Sequence, residues 1–404
     1  MVDIALSGQS RTRIFSFPWV FGARQDLAIS LGGMSAGFAL LLMHTLLHWN
    51  MIVVWFVWVV CLDTPHFFGT YYRTYLDNRE WTQRRGLLLG SLAVFLIGPA
   101  MLAAAAALHG LGVQSFKLPW KIWGAGVSLW AYLHITRQHY GVLRLYNRKN
   151  NETGSVESQL DSFVLYGYLA LCFVGLLFSH PQLRSGIYLA PQAPLPANFW
   201  THPLANLSAL TWDRWVFLAA GAGAAALLLQ LAVFQVNKLL RGETINLPKL
   251  IFLGTVFLLH GVVSFSGLLP AYTLLAFTAI ITIYHDIQYL SIVWFYSHKH
   301  YVPTATGHGF AGILARRFVF FFGAALLFAS LPIWGLGCII NRVAVCGPGN
   351  DVGAMTFMGD TTWILFFVML TSGIQMHHYV LDMFIWRPGK SLALRKDLGL
   401  EPAT

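Results

Sequence analysis

The sequence predicts an all-α, polytopic integral membrane protein of about ten transmembrane helices, with N- and C-termini both cytoplasmic. Composition, the spacing of apolar runs and the distribution of basic residues carry that expectation. Of 404 residues, 56% are hydrophobic and only 10% are charged, against about 25% charged in a soluble domain; mean hydropathy is +0.60. The connections are too short to hold a separate folded domain, apart from a longer outer loop at 181–212.

Runs of about 20 apolar residues, the length needed to cross a bilayer, fall at 27–47, 51–72, 87–108, 120–143, 161–180, 214–236, 249–268, 271–296, 316–337 and 361–386. A tight turn near His48, Trp49 and Asn50 joins the first pair, and Gly267 to Pro270 joins the seventh and eighth. With the N-terminus inside, 21 of the 26 Lys and Arg residues lie on inner segments and 5 on outer ones, a strong positive-inside pattern. The net charge of +10 is therefore topological, and no nucleic-acid partner is expected. The expected setting is a bacterial inner (cytoplasmic) membrane. The first ~25 residues lack the compact apolar core of a cleavable signal peptide. The four cysteines form no CxxC, which argues against iron–sulfur and zinc-ribbon sites. Cys338 and Cys346 share an outer connection, either bridged in an oxidising compartment or left as two thiols.

Four of the even-numbered segments carry chemistry near their inner ends. The second holds Asp63, Thr64, Pro65 and His66; the fourth His134, Arg137, Gln138 and His139; the eighth His285, Asp286, Gln288 and Tyr289; the tenth His377, His378 and Asp382. Of 16 acidic residues, only Asp63, Asp286 and Asp382 are expected inside spans, each beside a histidine; five glutamates and eight aspartates map to loops or termini. Ionisable groups inside a bilayer are costly and are retained mainly where they act. Four helices running outside to inside bring these inner halves to one cavity.

Helical spacing indicates which groups converge. Asp63 and His66 are three apart and His378 and Asp382 four apart, so each pair shares a face; His285 shares one with Gln288 and Tyr289. His134 and His139 lie about 140° apart around an ideal helix: either they reach one cavity from two sides, or His134 pairs with Gln138. His377 and His378 either serve two metals, or one of them supports the other. Pro65 is expected to bend its helix and free a carbonyl. Imidazole with carboxylate suits iron, zinc or manganese. The expected ligands are His66, His134, His139, His285, His377 and His378, with Asp63, Asp286 and Asp382 divided between ligation and orienting the histidines. So many donors exceed one coordination sphere, and two metals, or one metal with a proton relay, would use them.

The remaining histidines read as structural. His260 is expected to be an interhelical hydrogen-bonding residue. His44 and His48 lie near the outer interface, and His109, His180 and His202 in outer loops. His298, His300 and His308 follow the eighth segment, where snorkelling or lipid contact is expected.

His134-x4-His139 and His377-His378 resemble the histidine boxes of integral-membrane non-haem di-iron enzymes: fatty-acid desaturases, sterol and fatty-acid hydroxylases and alkane monooxygenases. The resemblance covers these short motifs and their sidedness. HxxHH is absent, and the histidines are spread over four helices. It implies a cytoplasm-facing, dinuclear iron centre that uses dioxygen on a lipophilic substrate by hydroxylation, desaturation or oxidative cleavage. Tyr289, Gln288 and Gln375 would then be hydrogen-bond donors around the centre. Arg137 would pair with an aspartate or an anionic head group, or snorkel to the interface. No fused electron-transfer domain is visible, so electrons come from a separate donor or from the substrate itself. Two alternatives compete. One is a haem- or pigment-binding electron-transfer protein, which fits poorly with adjacent histidines and three aspartates. The other is a metal or proton transporter, which needs a polar path across both leaflets.

Overall fold

The computed structural model describes residues 14–49, 51–179, 212–266, 274–303, 307–330, 361–387, 391–398 and 400. They are almost wholly helical. The exception is a two-residue parallel pairing of β1 (Phe15–Ser16) with β2 (Ile245–Asn246), in the register Phe15 to Ile245. Five helical segments are long and apolar enough to cross a membrane: Ala23–Thr45, Asn78–Gly110, Val156–Phe178, Trp212–Leu240 and Leu247–Phe265. Large apolar side chains such as Leu96, Leu229 and Val319 point outward, where lipid accepts them and water would not. The chain is an all-α integral membrane protein.

In order, the helices are α1 (Ala23–Thr45), α2 (Met51–Trp58), α3 (Thr64–Thr74), α4 (Asn78–Ser91), α5 (Ile97–Gly110), α6 (Leu118–Lys149), α7 (Val156–Ser179) and α8 (Trp212–Leu240). Then come α9 (Leu247–Phe265), α10 (Leu274–Tyr301), α11 (Gly309–Leu314), α12 (Phe318–Ser330), α13 (Thr361–Ile385) and α14 (Leu392–Asp397). A π-helical turn, Val59–Asp63, fuses α2 to α3, and a 3₁₀ stretch, Leu92–Leu96, fuses α4 to α5. α7 packs on α8 and α9, and α1 lies against α9 and α10. Centrally, α3, α10, α6 and α13 contact one another in a closed ring, α3 to α10 to α6 to α13 and back to α3. The outer loop expected at 181–212, and both Cys338 and Cys346, lie outside the described residues except for Trp212, which opens α8.

Several acidic residues expected in loops are instead buried in helices. Asp26, in the first turn of α1, accepts from the Val20 and Phe21 amides (2.7 and 3.0 Å) and from Tyr146 (3.2 Å). Asp213, in the first turn of α8, is buried too. Glu157 and Asp161 in α7 are held by Lys249 of α9. Its fully buried ammonium lies 2.9 Å from Glu152, 2.8 Å from Glu157 and 2.8 Å from Asp161. Lys238 of α8 also pairs with Glu157. A buried charge persists only when paired, and this cluster ties α7, α8 and α9 at one end. Glu152, Glu157 and Asp161 have the spacing of a cation site, but the Lys249 ammonium occupies its centre.

The histidines after α10 are likewise tied down and not left to lipid. His308 is buried 3.2 Å from Asp77, which caps α4 through the Arg79 amide. His300 pairs with Asp397 of α14 at 2.6 Å, and His298 lies 3.0 Å from the Ala315 carbonyl. Snorkelling was expected because these residues follow a long apolar run; α11 and α14 fold back over them and supply acceptors.

Candidate metal centre

The α2–α3 helix delivers the first candidate ligands through a local irregularity. Pro65 has no amide hydrogen to give the preceding turn, and the helix widens just before it, with the Thr64 amide bonding to the Val59 carbonyl five residues back. The sharp bend expected at Pro65 is thus a π-turn, a feature common at functional sites. From Asp63, the sequence then sets His66 and Thr70 on one face at i, i+3 and i+7. Gly69 lets α10 close on this face, since a Cβ there would sit 2.9 Å from the Tyr289 ring and 3.2 Å from Val293.

Four buried imidazoles, one from each helix of the central ring, form a closed quadrilateral. His66 of α3 is 4.9 Å, centre to centre, from His285 of α10, and His285 is 5.1 Å from His134 of α6. His134 is 4.9 Å from His378 of α13, and His378 is 4.8 Å from His66. The planes cross at 67° to 84°. An ion about 2.1 Å from an imidazole nitrogen lies about 3.2 Å from the ring centre, so tetrahedral rings would stand about 5.2 Å apart. The observed edges are close to that value, and no adjacent pair leaves room for a macrocycle between its rings.

The hydrogen bonds indicate which nitrogens stay open. The Thr70 hydroxyl has one hydrogen and lies 2.6 Å from each of Asp382 Oδ1, the Tyr289 hydroxyl and His378 Nδ1; given to either oxygen, that hydrogen leaves His378 Nδ1 as a donor. Its lone pair is therefore on Nε2, which is buried and has no partner. An imidazole that donates through one nitrogen to an oxygen and holds the other open is arranged as metal-bound histidines are. His134 Nε2, His285 Nδ1 and both nitrogens of His66 are equally buried and unpartnered. His66 Nδ1 lies 2.9 Å from Asp286 Oδ1, at an angle too poor for a hydrogen bond. Orphaned polar atoms are uncommon in native interiors, and here they converge. Tyr379 stacks on His134 at 4.2 Å and fixes its ring.

Carboxylates close the cluster at two ends. At one end, Asp63 and Asp286 lie 3.8 and 2.9 Å from His66 Nδ1, and the Trp58 indole holds Asp286 Oδ2 at 2.9 Å. At the other, Asp382 Oδ2 lies 3.7 Å from His378 Nε2 and 4.0 Å from His134 Nε2, while Oδ1 accepts from Thr70 and from Tyr289 (2.8 Å). Three donor groupings result: Asp63–His66–Asp286, His66–His285–His378 and His134–His378–Asp382. They share His66 and His378, and the donor set fits one or two ions of the iron, zinc or manganese type.

Two histidines expected as ligands lie elsewhere. His377 points away from the cluster, and both of its nitrogens are taken. Nε2 faces Ser91 (2.8 Å) and Tyr75 (3.2 Å), and Nδ1 faces Tyr71 (3.0 Å). The 100° step from His378 turns it toward α3 and α4. His139 is fully buried beside Gln288, His260 and Tyr284. Gln138 does not pair with His134; it donates to the His285 carbonyl and to Gln288. Gln288 thus supports His139, Tyr289 supports Asp382, and Gln375 donates to the Tyr379 hydroxyl (2.6 Å).

A cleft of about 330 Å³ opens beside His134. Trp130, Leu133 and Arg137 line it from α6, Tyr166 from α7, and Tyr379 and Met383 from α13. Leu133, Tyr166 and Arg137 are exposed at its mouth, and Arg137 has no aspartate partner among the described residues.

No known protein family, no curated protein and no solved structure matches this chain.

Sequence spacing overlooked four contributors. Thr70 was within reach, being on the Asp63–His66 face. Trp58 and Trp386 were not: Trp386 follows the end of α13, and its indole donates to the Tyr289 hydroxyl at 3.2 Å. Arg73, which reads as an inner-loop charge, is buried between the Tyr296 and Trp386 rings at 4.2 and 3.9 Å, held by cation–π attraction.

Proposed function

We propose that this chain is a membrane-embedded, metal-dependent oxidoreductase that uses dioxygen on a lipophilic substrate. Its centre would be a His/Asp non-haem iron site, with two irons favoured. The observation that supports this best is the convergence of four unpartnered imidazoles, closed at both ends by carboxylates, in the interior of a helical membrane protein. The separate carboxylate ends favour two ions over one. His66, His134, His285 and His378 would be ligands, with Asp63, Asp286 and Asp382 as further ligands or orienting groups. Bound iron would supply dioxygen activation at positions the protein leaves open.

The chain's own groups have definable tasks. Thr70 and Tyr289 hold Asp382 through Oδ1, which leaves Oδ2, facing His378 and His134, as the atom at which a proton can be held or passed on. Tyr379 orients His134, the ring nearest the cleft. The cleft's aromatic walls exclude water from the reacting region. Arg137 at the mouth would hold an anionic head group. A ten-span topology with cytoplasmic termini, following the 21 to 5 distribution of basic residues, puts the centre near the cytoplasmic leaflet of a bacterial inner membrane. A separate electron donor would approach from that side. Whether the outcome is hydroxylation, desaturation or cleavage depends on the substrate.

The test is metal content of the purified full-length protein by mass spectrometry, with an absorption spectrum of the same sample. Iron near two per chain without a haem band is expected, and His378→Ala should lose both metal and activity. A haem or pigment band would replace this reading with the electron-transfer one. Metal uptake into vesicles without oxygen consumption would replace it with transport.

A further inference from the structure

We propose a second metal site, made by His139 of α6 and His260 of α9 and suited to one univalent copper ion. Both rings are fully buried, and their centres are 5.8 Å apart with perpendicular planes. Hydrogen bonding fixes the tautomer of each. Tyr132 gives its only hydroxyl hydrogen to the Leu169 carbonyl at 3.0 Å, so His260 Nδ1, 3.1 Å from that hydroxyl oxygen, is a donor. Gln288 Oε1 faces His139 Nδ1 at 3.1 Å and the Gln138 amide nitrogen at 3.3 Å. Only the carbonyl end of Gln288 can accept from Gln138, so His139 Nδ1 is a donor as well. Each ring therefore carries its lone pair on Nε2, and each Nε2 is buried with no partner.

Two lone pairs cannot satisfy one another, and buried polar atoms are rarely left orphaned. Tyr132 and His139 lie seven residues apart, on one face of α6. The two nitrogens of an imidazole sit on opposite flanks. With Nδ1 of His260 directed at Tyr132, its Nε2 lies on the flank away from Tyr132. An ion about 2.0 Å from each nitrogen would lie about 3.1 Å from each ring centre, giving about 6 Å between rings on opposite sides. Both rings also show the pattern of metal-bound histidines, Nδ1–H given to an oxygen and Nε2 open.

The surroundings select the ion. Phe252, Tyr284 and Tyr132 pack against the pair, and no carboxylate interacts with either ring among the described residues. The cost of burying a charge rises steeply with its size, which favours a univalent ion. Copper(I) accepts two nearly collinear nitrogens, whereas zinc and iron demand more ligands. The site is independent of the proposed role of the four-histidine centre.

The experiment is anaerobic copper(I) titration of the full-length protein in detergent against bicinchoninate, with bound copper counted by mass spectrometry. Combining His66→Ala with His378→Ala breaks all three donor groupings of the four-histidine centre and isolates the pair. In that background one copper per chain should remain, and adding His139→Gln or His260→Gln should weaken retention at least tenfold. X-ray absorption on the copper-loaded protein carrying both alanines should report two nitrogens at about 2 Å. The same measurement on wild type preloaded with iron covers the case in which the variant fails to fold. No copper retained against the competitor, as expected of a bridging water, would overturn the site. So would undiminished copper in the Gln variants, or a spectrum of three or more ligands.

Discussion

Thr70→Val tests the centre at its most constrained hydrogen bond. The Thr70 hydroxyl accepts from His378 Nδ1 at 2.6 Å and donates to Asp382 Oδ1 at 2.6 Å. Valine keeps the branched shape but removes both interactions, together with the 2.6 Å hydrogen bond between Thr70 and the Tyr289 hydroxyl. Asp382 retains Tyr289 at 2.8 Å, whereas the Nδ1–H, on a fully buried ring, loses its acceptor. A buried donor left unsatisfied costs about 1–3 kcal/mol. If the proton moves to Nε2 instead, the metal loses a lone pair and the cost reappears in affinity. Either way, metal binding should weaken about 10–100-fold, the range for losing a partner of a ligand histidine. Competition against a chelator of known affinity measures this, with Thr70→Ser expected to recover most of the loss. A folded Thr70→Val protein that binds metal as tightly as wild type would refute both the tautomer of His378 and its role as a ligand.

His377→Gln should leave metal content unchanged, because both nitrogens of His377 are engaged by Ser91, Tyr75 and Tyr71; mass spectrometry beside His378→Ala separates these adjacent residues. Lys249→Met should destabilise the protein by about 3–5 kcal/mol, the cost of leaving buried partner charges unpaired, seen as earlier unfolding in detergent. Adding Asp161→Asn should recover part of that loss, and no recovery would mean the Lys249 stem matters more than its charge.

Much of the centre was legible because carboxylates and histidines inside apolar runs have few other reasons to be there. Asp63, His66, His134, His285, Asp286, His378 and Asp382 all meet, as the inner-half clustering predicts. What spacing could not resolve was the facing of adjacent or near-opposite residues on one helix. His377 and His378 differ by one step, and rotation about α13 decided that only His378 enters the ring. His139 sits far enough around α6 from His134 to reach α9 instead, where His260 meets it. Charge alone also misled: Asp161, Glu157 and Lys249 look like interfacial residues in sequence, yet they pair with one another in the interior. Pairing over 88 and 92 residues leaves no local pattern to read.

If the proposed centre holds a metal, the open nitrogens of His66, His134, His285 and His378 link the stability of the bundle to that ion. Without an ion, four helices meet at buried lone pairs that no group among the described residues satisfies, so the centre is a weak point where α3, α6, α10 and α13 join. An ion that binds the folded state and not the unfolded chain stabilises it by about 4 kcal/mol when free metal is a thousand times its dissociation constant. Stripping the metal with a chelator should therefore lower the unfolding temperature, readdition should restore it, and His378→Ala should respond to neither. An unfolding temperature that stays fixed while mass spectrometry shows the metal gone would mean that the four imidazoles are satisfied within the protein. The centre would then have no claim to a metal.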